Sequence, residues 1–545
     1  MNTKLFSLLA LLFMGINTLL CTATAQAKVK KLTPLMGWAS WNQFGVKIDE
    51  NVLKGQADAM ISSGLANVGY DFINMDDGFF NGRSEDGTLQ IDETKFPGGM
   101  ANMVKYIHSK GLKAGFYSEA GHNTCGSQYS GSPGGKGGGL YQHDQQDMDL
   151  VFLKWNFDFI KVDYCGGLVL KLDEKTRYTE IKQAIDNTGR KDINFNVCRW
   201  QFPGTWVTEI ADSWRMSHDI NYTPGSKPKW SSIMSILNLN KYLAPYASIG
   251  HYNDMDMLEV GRGMSYEEDK SHYTMWCILS SPLALGNDMT KMSDQTIKIL
   301  TNKDVVAVNQ DPYGIQAQLI WEKDSLQVWA KHLNGPESKE FAVALLNTKS
   351  VAAPMSVKWS DLYIDGKASV RDLWEQKDLG VVENGYTVTL PAHGVSLIKV
   401  TAQKTFLKDK FEAEYAWINN FNLTSMTAIV RNQGKAVEDS KCSGGAKVVK
   451  IGNRPDNYIE FRDVYAKKSG KYTMTVSYLS AQDLAMTVTA NGKKSELKGL
   501  NSGGSDNVAY VYVTVKLKKG VNTIRFSNDT AFAPDLDKIQ LNLNK

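Results

Sequence analysis

The stretch Phe157-Asp158-Phe159-Ile160-Lys161-Val162-Asp163 decides the fold. It is short, rich in aromatic and β-branched residues, and ends on a carboxylate, the pattern of a strand buried in a parallel sheet with a polar residue at its carboxyl end. Seven further apolar runs occupy residues 35–41, 70–75, 112–117, 194–198, 212–216, 247–252 and 282–285. Amphipathic segments separate them. Leu53, Ala57, Met60 and Ile61 recur at helical spacing, as do Met100, Met103, Val104 and Ile107 before the stop signal Gly111. Ser265-x-x-Glu268 is a capping box opening the helix that carries Met275 and Trp276. Parallel strands require helical crossovers, so eight such units predict a (β/α)8 TIM barrel over residues 28–317.

Beyond Gln316 helical spacing fades. Short alternating runs at 326–330, 341–346 and 395–400 predict an antiparallel β-domain over 318–401, and the Lys-rich stretch 402–410 reads as a linker. Alternating runs at 458–461, 472–478, 509–517 and 523–526 predict a β-sandwich over 411–545. The fold class is therefore multidomain, α/β plus all-β.

A chain of 545 residues exceeds one core, and 42% hydrophobic with 22% charged residues excludes disordered, collagenous and coiled-coil classes. Lys+Arg 61 against Asp+Glu 58 gives a formal charge of +3, far from the basic balance that nucleic acid demands, so no nucleic-acid partner is expected. Lys4, the apolar run 5–20 and Ala25-Gln26-Ala27 form a signal peptide over 1–27, which predicts an exported chain, periplasmic or secreted, maturing near Lys28. A membrane anchor is the alternative, but the run contains Asn17 and Thr18. Cys21 raises a lipoprotein reading that bulky Leu20 disfavours. No later segment is long and apolar enough to span a bilayer. Without Cys21, five cysteines remain, so a monomer keeps at least one free thiol.

Active sites of parallel barrels lie at the carboxyl ends of the strands. Asp76 and Asp77, Asp163, Asp219, and Asp254 with Asp256 follow apolar runs there. Each alone is better explained as a helix cap or turn former, whereas acids at four strand ends point to a shared acidic mouth. No histidine set has metal-ligand spacing, and the 134–139 glycine run lacks the Lys-Ser/Thr of a phosphate loop. Paired carboxylates among aromatics are suited to glycosyl transfer to water.

The runs Met36-Gly37-Trp38-Ala39-Ser40-Trp41-Asn42, Asp76-Asp77-Gly78, Lys161-Val162-Asp163-Tyr164-Cys165, Ser213-Trp214-Arg215-x-x-x-Asp219 and Asn253-Asp254-Met255-Asp256-Met257-Leu258 resemble glycoside hydrolase family 27, the α-galactosidase family. Val308-Asn309-Gln310-Asp311-Pro312 and Ala392-His393-Gly394-Val395 extend the similarity to residue 401. The resemblance implies an α-galactoside glycan substrate, a retaining mechanism without a catalytic cofactor, Asp163 as nucleophile and Asp219 as acid/base. It also implies that Asp76 and Asp77 accept the galactose 4- and 6-hydroxyls, that Trp41 carries the apolar sugar face, and that Tyr117, Cys198, Trp200 and Asp256 line the pocket. Arg215 would reach the 2-hydroxyl, and Lys161, on the same strand face as Asp163, would help keep it ionised. Cys125 and Cys165 match the family disulfide, and Cys277 reads as a buried thiol.

Three positions depart from the family pattern. Arg199 puts a cation where an acceptor near the 2-hydroxyl is usual, Phe79 stands for Trp, and Met255 for proline. Isomaltodextranase and β-L-arabinopyranosidase activities are therefore alternatives, as is a non-catalytic glycan-binding protein. Asp77 rather than Glu leaves room for a C6 hydroxymethyl group and favours galactose. The C-terminal unit resembles carbohydrate-binding modules of families 35 and 6, from Phe411-Glu412-Ala413-Glu414 to Pro534-Asp535-Leu536-Asp537. That likeness implies a structural Ca²⁺ held by Glu412, Glu414 and Asp537, the alternative being edge charges. Tyr415, Trp417 and Phe532 are its candidate glycan-stacking rings. Oligomeric state is not readable from the sequence.

Overall fold

The computed structural model describes residues 30–423 and 432–543; the leader expected over 1–27 lies outside the described residues. Eight parallel strands form the first domain: β1 (Met36–Ala39), β2 (Phe72–Asn74), β3 (Lys113–Glu119), β4 (Phe159–Asp163), β5 (Asn194–Val197), β6 (Ser213–Arg215), β7 (Tyr252–Asp254) and β8 (Leu283–Leu285). They follow one another in order from β1 to β7, with β8 beside β1. A Leu258–Leu285 bridge ties the segment after β7 to β8 and closes the ring. Helices such as Glu50–Ser62, capped where Asp49 accepts from Val52 N–H, pack outside it. The expected capping box is present, Ser265 and Glu268 each accepting the other's backbone N–H.

Three buried tryptophans fasten the carboxyl ends of the strands. Trp38 donates to Asn287 O (2.7 Å), Trp214 to Asn253 Oδ1 (2.8 Å) and Trp276 to Asp256 O (2.8 Å), so each ring is buried with its N–H satisfied. The seventh strand forms later than its apolar run suggests. A turn at Ala244–Tyr246 precedes the 247–252 run, a Ser248–His251 bridge with Gly250 at φ 78° lies within it, and pairing with β6 begins at Tyr252.

The second domain is a six-stranded antiparallel sheet, from Gln318–Lys323 to Val395–Ala402 in sequence, with the hairpin-like pair Ala353–Lys358 and Gly385–Leu390 packed beside it. The Lys-rich stretch that follows is no free tether. Phe406 N–H donates to Tyr363 O (2.7 Å), and Thr405 bridges Ile364. Two further antiparallel sheets make the C-terminal unit, one built around Asp535–Leu543 and Gly470–Ser480, the other around Ile459–Ala466 and Gly520–Ser527. This unit is packed on the barrel. Phe421 stacks on Phe202 and Tyr246 at 5.7 Å each, and Leu423 N–H donates to Phe202 O. Two of the expected stacking rings serve that contact. Tyr415 Oη accepts from Leu319 N–H, while Trp417 lies between Tyr246 and the Arg462 guanidinium; Phe532 is half-buried.

Candidate active site

Alternation along β4 turns Lys161 and Asp163 to the barrel interior, with Ile160 and Val162 buried on the other side. Lys161 Nζ stands 2.9 Å from Asp76 Oδ2 and 3.7 Å from Asp163 Oδ1. Burial pushes the Asp163 carboxyl up to about 6, against the pull of Lys161 and of a hydrogen bond from the Cys198 thiol. Lys161 therefore favours the ionised form of Asp163 without fully offsetting its desolvation. Burial opposes the ammonium charge as well, but Asp163 and Asp76 outweigh it.

Asp77 is buried beside this pair. Its Oδ2 accepts from Gly126 N–H (2.7 Å), while Oδ1 is buried with no partner. Burial raises its carboxyl to about 6. An orphaned buried acceptor at the mouth is where a ligand hydroxyl would be satisfied. Tyr117 is buried next to it, its Oη accepting from Cys125 N–H and the Lys161 ammonium lying 5.7 Å from its ring.

Arg215, at the end of β6, two strands on from β4, organises a second group of acids. One of its nitrogens, Nη2, lies 3.0 Å from Asp219 Oδ1 and 2.9 Å from Asp256 Oδ2, and Nη1 lies 3.9 Å from Cys198 Sγ. Burial raises the Asp219 carboxyl; Arg215 pulls it back and the Asp256 charge adds to the rise. Its side chain keeps 31% exposure, open enough to meet a leaving group. Asp256, at φ 76°, accepts from Ile220 N–H (2.8 Å) with the same oxygen that meets Arg215. Asp256 and Arg215 thus fix the loop that carries Asp219.

The two tryptophans stand apart from this hydrogen-bonded network among the described residues. Trp41 is half-buried at the start of a short helix, and Trp200, at φ 60°, packs against the apolar core. The unusual cation is not in the mouth. Arg199 is fully buried, its Nε donating 2.6 Å to Glu174 Oε1 and its guanidinium 5.2 Å from the Tyr164 ring. Phe79 is absorbed by a cluster with Phe80, Phe96 and Phe116, and Met255 donates its N–H to Ser281 Oγ, a bond proline cannot make.

Cys125 and Cys165 form a disulfide, and Cys198, Cys277 and Cys442 are free and buried. Beside the disulfide stands Glu119, which the sequence reading passed over. Its oxygens accept from Gly121, Cys165, Gly166 and Gly167 N–H, stitching the loops after β3 and β4 together next to Asp163. An acid ending the third apolar run, with glycines after it and after Cys165, was the available signal.

In the C-terminal sandwich, Ser443 Oγ donates to Glu412 Oε2 or Asp537 Oδ1, at 2.6 and 2.9 Å, and Glu414 is buried with both oxygens unpartnered. Burial raises all three carboxyls, Glu414 well above its usual value. The three acids share one locus but do not close to 4.8 Å of one another. The one acid–cysteine group that does so among the described residues is Glu119 with the disulfide sulfurs.

Sequence comparison now adds to this geometry. Residues 33–311 match the family profile described as alpha galactosidase A, and 323–400 match that of the alpha galactosidase C-terminal beta sandwich domain. Alpha-galactosidase A of Cellvibrio japonicus is 37% identical, covering 71% of this chain and 97% of that protein. The alpha-galactosidase of Cyamopsis tetragonoloba is 38% identical over 68% of this chain and 86% of its own length. Among solved structures, alpha-galactosidase I from Mortierella vinacea superposes with a TM-score of 0.62 at 36% identity, covering 69% of this chain and 99% of that one. A β-L-arabinopyranosidase from Geobacillus stearothermophilus, at 23% identity and TM-score 0.59, shares the fold. With its acids gathered at the barrel mouth, the chain belongs to glycoside hydrolase family 27 and is a glycoside hydrolase of the α-galactosidase type.

Proposed function

We propose that this chain is an exported, retaining α-galactosidase that releases terminal α-D-galactosyl residues from oligo- or polysaccharides through a covalent glycosyl-enzyme. The observation that carries the reading is the pairing of buried Asp163 with Lys161 at the end of β4 and of Asp219 with Arg215 after β6. An Asp163 oxygen attacks the anomeric carbon as the glycosidic C–O bond breaks, and Asp219 gives its proton to the departing oxygen. Water then attacks the same carbon, Asp219 takes the water's proton, and the ester to Asp163 breaks, leaving galactose with its starting configuration. Asp76 and Asp77 hold the 4- and 6-hydroxyls, and the unpartnered Asp77 Oδ1 rejects a sugar lacking the matching hydroxyl. Trapping with a 2-deoxy-2-fluoro-α-galactosyl fluoride is expected to add one fluorogalactosyl mass to the peptide containing Asp163. A label on another residue, or product of inverted configuration, overturns the reading. Initial rates on aryl α-galactoside, β-L-arabinopyranoside and α-glucoside test the sugar, the first being expected to dominate.

The leader over 1–27 directs export, and the Cys125–Cys165 disulfide suits an oxidising compartment. N-terminal sequencing of the exported protein should begin near Lys28. The C-terminal sandwich is a carbohydrate-binding unit braced by Ca²⁺. The donor set fits that ion: Glu412, Glu414 and Asp537 offer hard carboxylate oxygens, and both Glu414 oxygens lack a partner. The ion would supply positive charge that holds these acids together.

A further inference from the structure

If Asp219 protonates the departing oxygen, the group on that oxygen must lie outward of Asp219, on the side away from Asp163. An exposed aromatic follows Asp219 on the same loop. Tyr222 follows Asp219 by three residues and is 72% exposed. Its ring stacks on His218 with centroids 6.0 Å apart and planes 24° from parallel. His218 is held at both nitrogens, Nδ1 lying 3.0 Å from Asp219 O and Nε2 3.0 Å from Ser235 Oγ. Through His218 the ring is tied to the backbone of Asp219 itself, at the edge of the mouth.

The loop beneath the ring is braced. Asn221 Oδ1 accepts from Thr223 N–H and Ser226 Oγ, and its amide donates to Ser226 O. Gly225 N–H donates to Asn42 O (2.8 Å), and Arg262 Nη2 donates to both Asn42 O and Ser226 O. Tyr222 is thus fastened to the segment after β1 that carries Trp41. A flat ring with one covered face and one open face, fixed beside the proton donor, suits the C–H face of a pyranose.

We propose that Tyr222 is the platform of the leaving-group subsite: its open face stacks on the sugar attached to the departing oxygen, so the favoured substrates are α-galactosides with a glycosyl leaving group. This rests on the α-galactosidase reading. The test compares α-galactosyl fluoride, which has no leaving sugar, with an α-1,6-linked galactosyl-glucose disaccharide, in wild type, Tyr222→Ala and Tyr222→Phe. Tyr222→Ala is expected to lower the disaccharide-to-fluoride ratio of kcat/KM roughly tenfold, mostly through a higher disaccharide KM. Tyr222→Phe keeps the ring and should hold the ratio within about threefold of wild type. An unchanged ratio in Tyr222→Ala, or a Phe variant as impaired as the Ala variant, overturns the platform while leaving the enzyme's activity intact. A wild-type protein inactive on the fluoride overturns the α-galactosidase reading, and this inference with it.

Discussion

The barrel mouth and the base of the C-terminal sandwich both bury carboxylates, and they differ in what faces them. In the mouth, Lys161 stands between Asp76 and Asp163, and Arg215 between Asp219 and Asp256. In the sandwich, Glu412, Glu414 and Asp537 have a serine hydroxyl and the Lys538 ammonium, the latter 3.8 Å from Asp537. Burying several carboxylates without matching cations is costly, and protonation or a bound cation relieves it. The mouth carries its compensation in the chain and is organised for chemistry. The sandwich cluster has less of it, and on the reading proposed above a bound cation supplies the rest.

The comparison breaks most visibly at the mouth. Asp163→Ala removes the proposed nucleophile and should lower kcat at least about 10⁴-fold on every substrate. Asp219→Ala should depend on the leaving group: about 10²–10⁴-fold on a sugar, which needs a proton, and far less on a fluoride or nitrophenolate. Equal losses on both leaving groups would mean that Asp219 is not the acid.

Lys161→Met is the next test. Asp163 must be ionised to attack, so kcat/KM should fall as pH drops through about 6, where burial has moved its carboxyl. Without the ammonium the charged form is less favoured, and the acid limb should move to higher pH by about one unit or more. An acid limb unmoved in this variant would assign that limb to another group.

The first domain was legible because a parallel barrel writes its active site in one dimension, as an apolar run followed by an acid. Asp163, Asp76 and Asp219 could be picked out that way. Glu119 also ends a strand after an apolar run, but its duty was hidden, because its partners are backbone N–H groups from two loops. The direction of Arg199 was equally hidden: its partner Glu174 lies 25 residues earlier, on a helix, and residue type alone pointed the cation into the mouth. Tyr415 and Trp417 read as candidate glycan-stacking rings, because a seam between two domains leaves no periodic mark on either.

In the sandwich, the effect expected is on stability. A carboxyl raised in the fold binds a proton that the unfolded chain releases, so metal-free stability should fall as pH rises above about 4.5, toward the raised value. Calcium binds the ionised form and should cancel that fall. The Tm gain from calcium should therefore be a few degrees at pH 8, for about 3 kcal/mol of binding at a hundredfold excess over Kd, and close to nothing at pH 5. A gain equal at both pH values would place the ion elsewhere.

Glu414→Gln gives the smallest change and the sharpest reading. Its two oxygens have no partner, so the amide loses no protein contact and removes one of three mutually repelling acids. If the cluster is held apart by unscreened charge, the metal-free variant should be more stable than wild type at pH 8, by about 1 kcal/mol, and indistinguishable at pH 5. It should also lose the response to calcium, since a hard anionic ligand is gone. At the mouth the corresponding neutralisation, Asp76→Asn, deprives Lys161 of its 2.9 Å partner and should destabilise the fold at every pH above the carboxylate range. Opposite signs for the same chemical change distinguish acids paired within the chain from acids left for an ion.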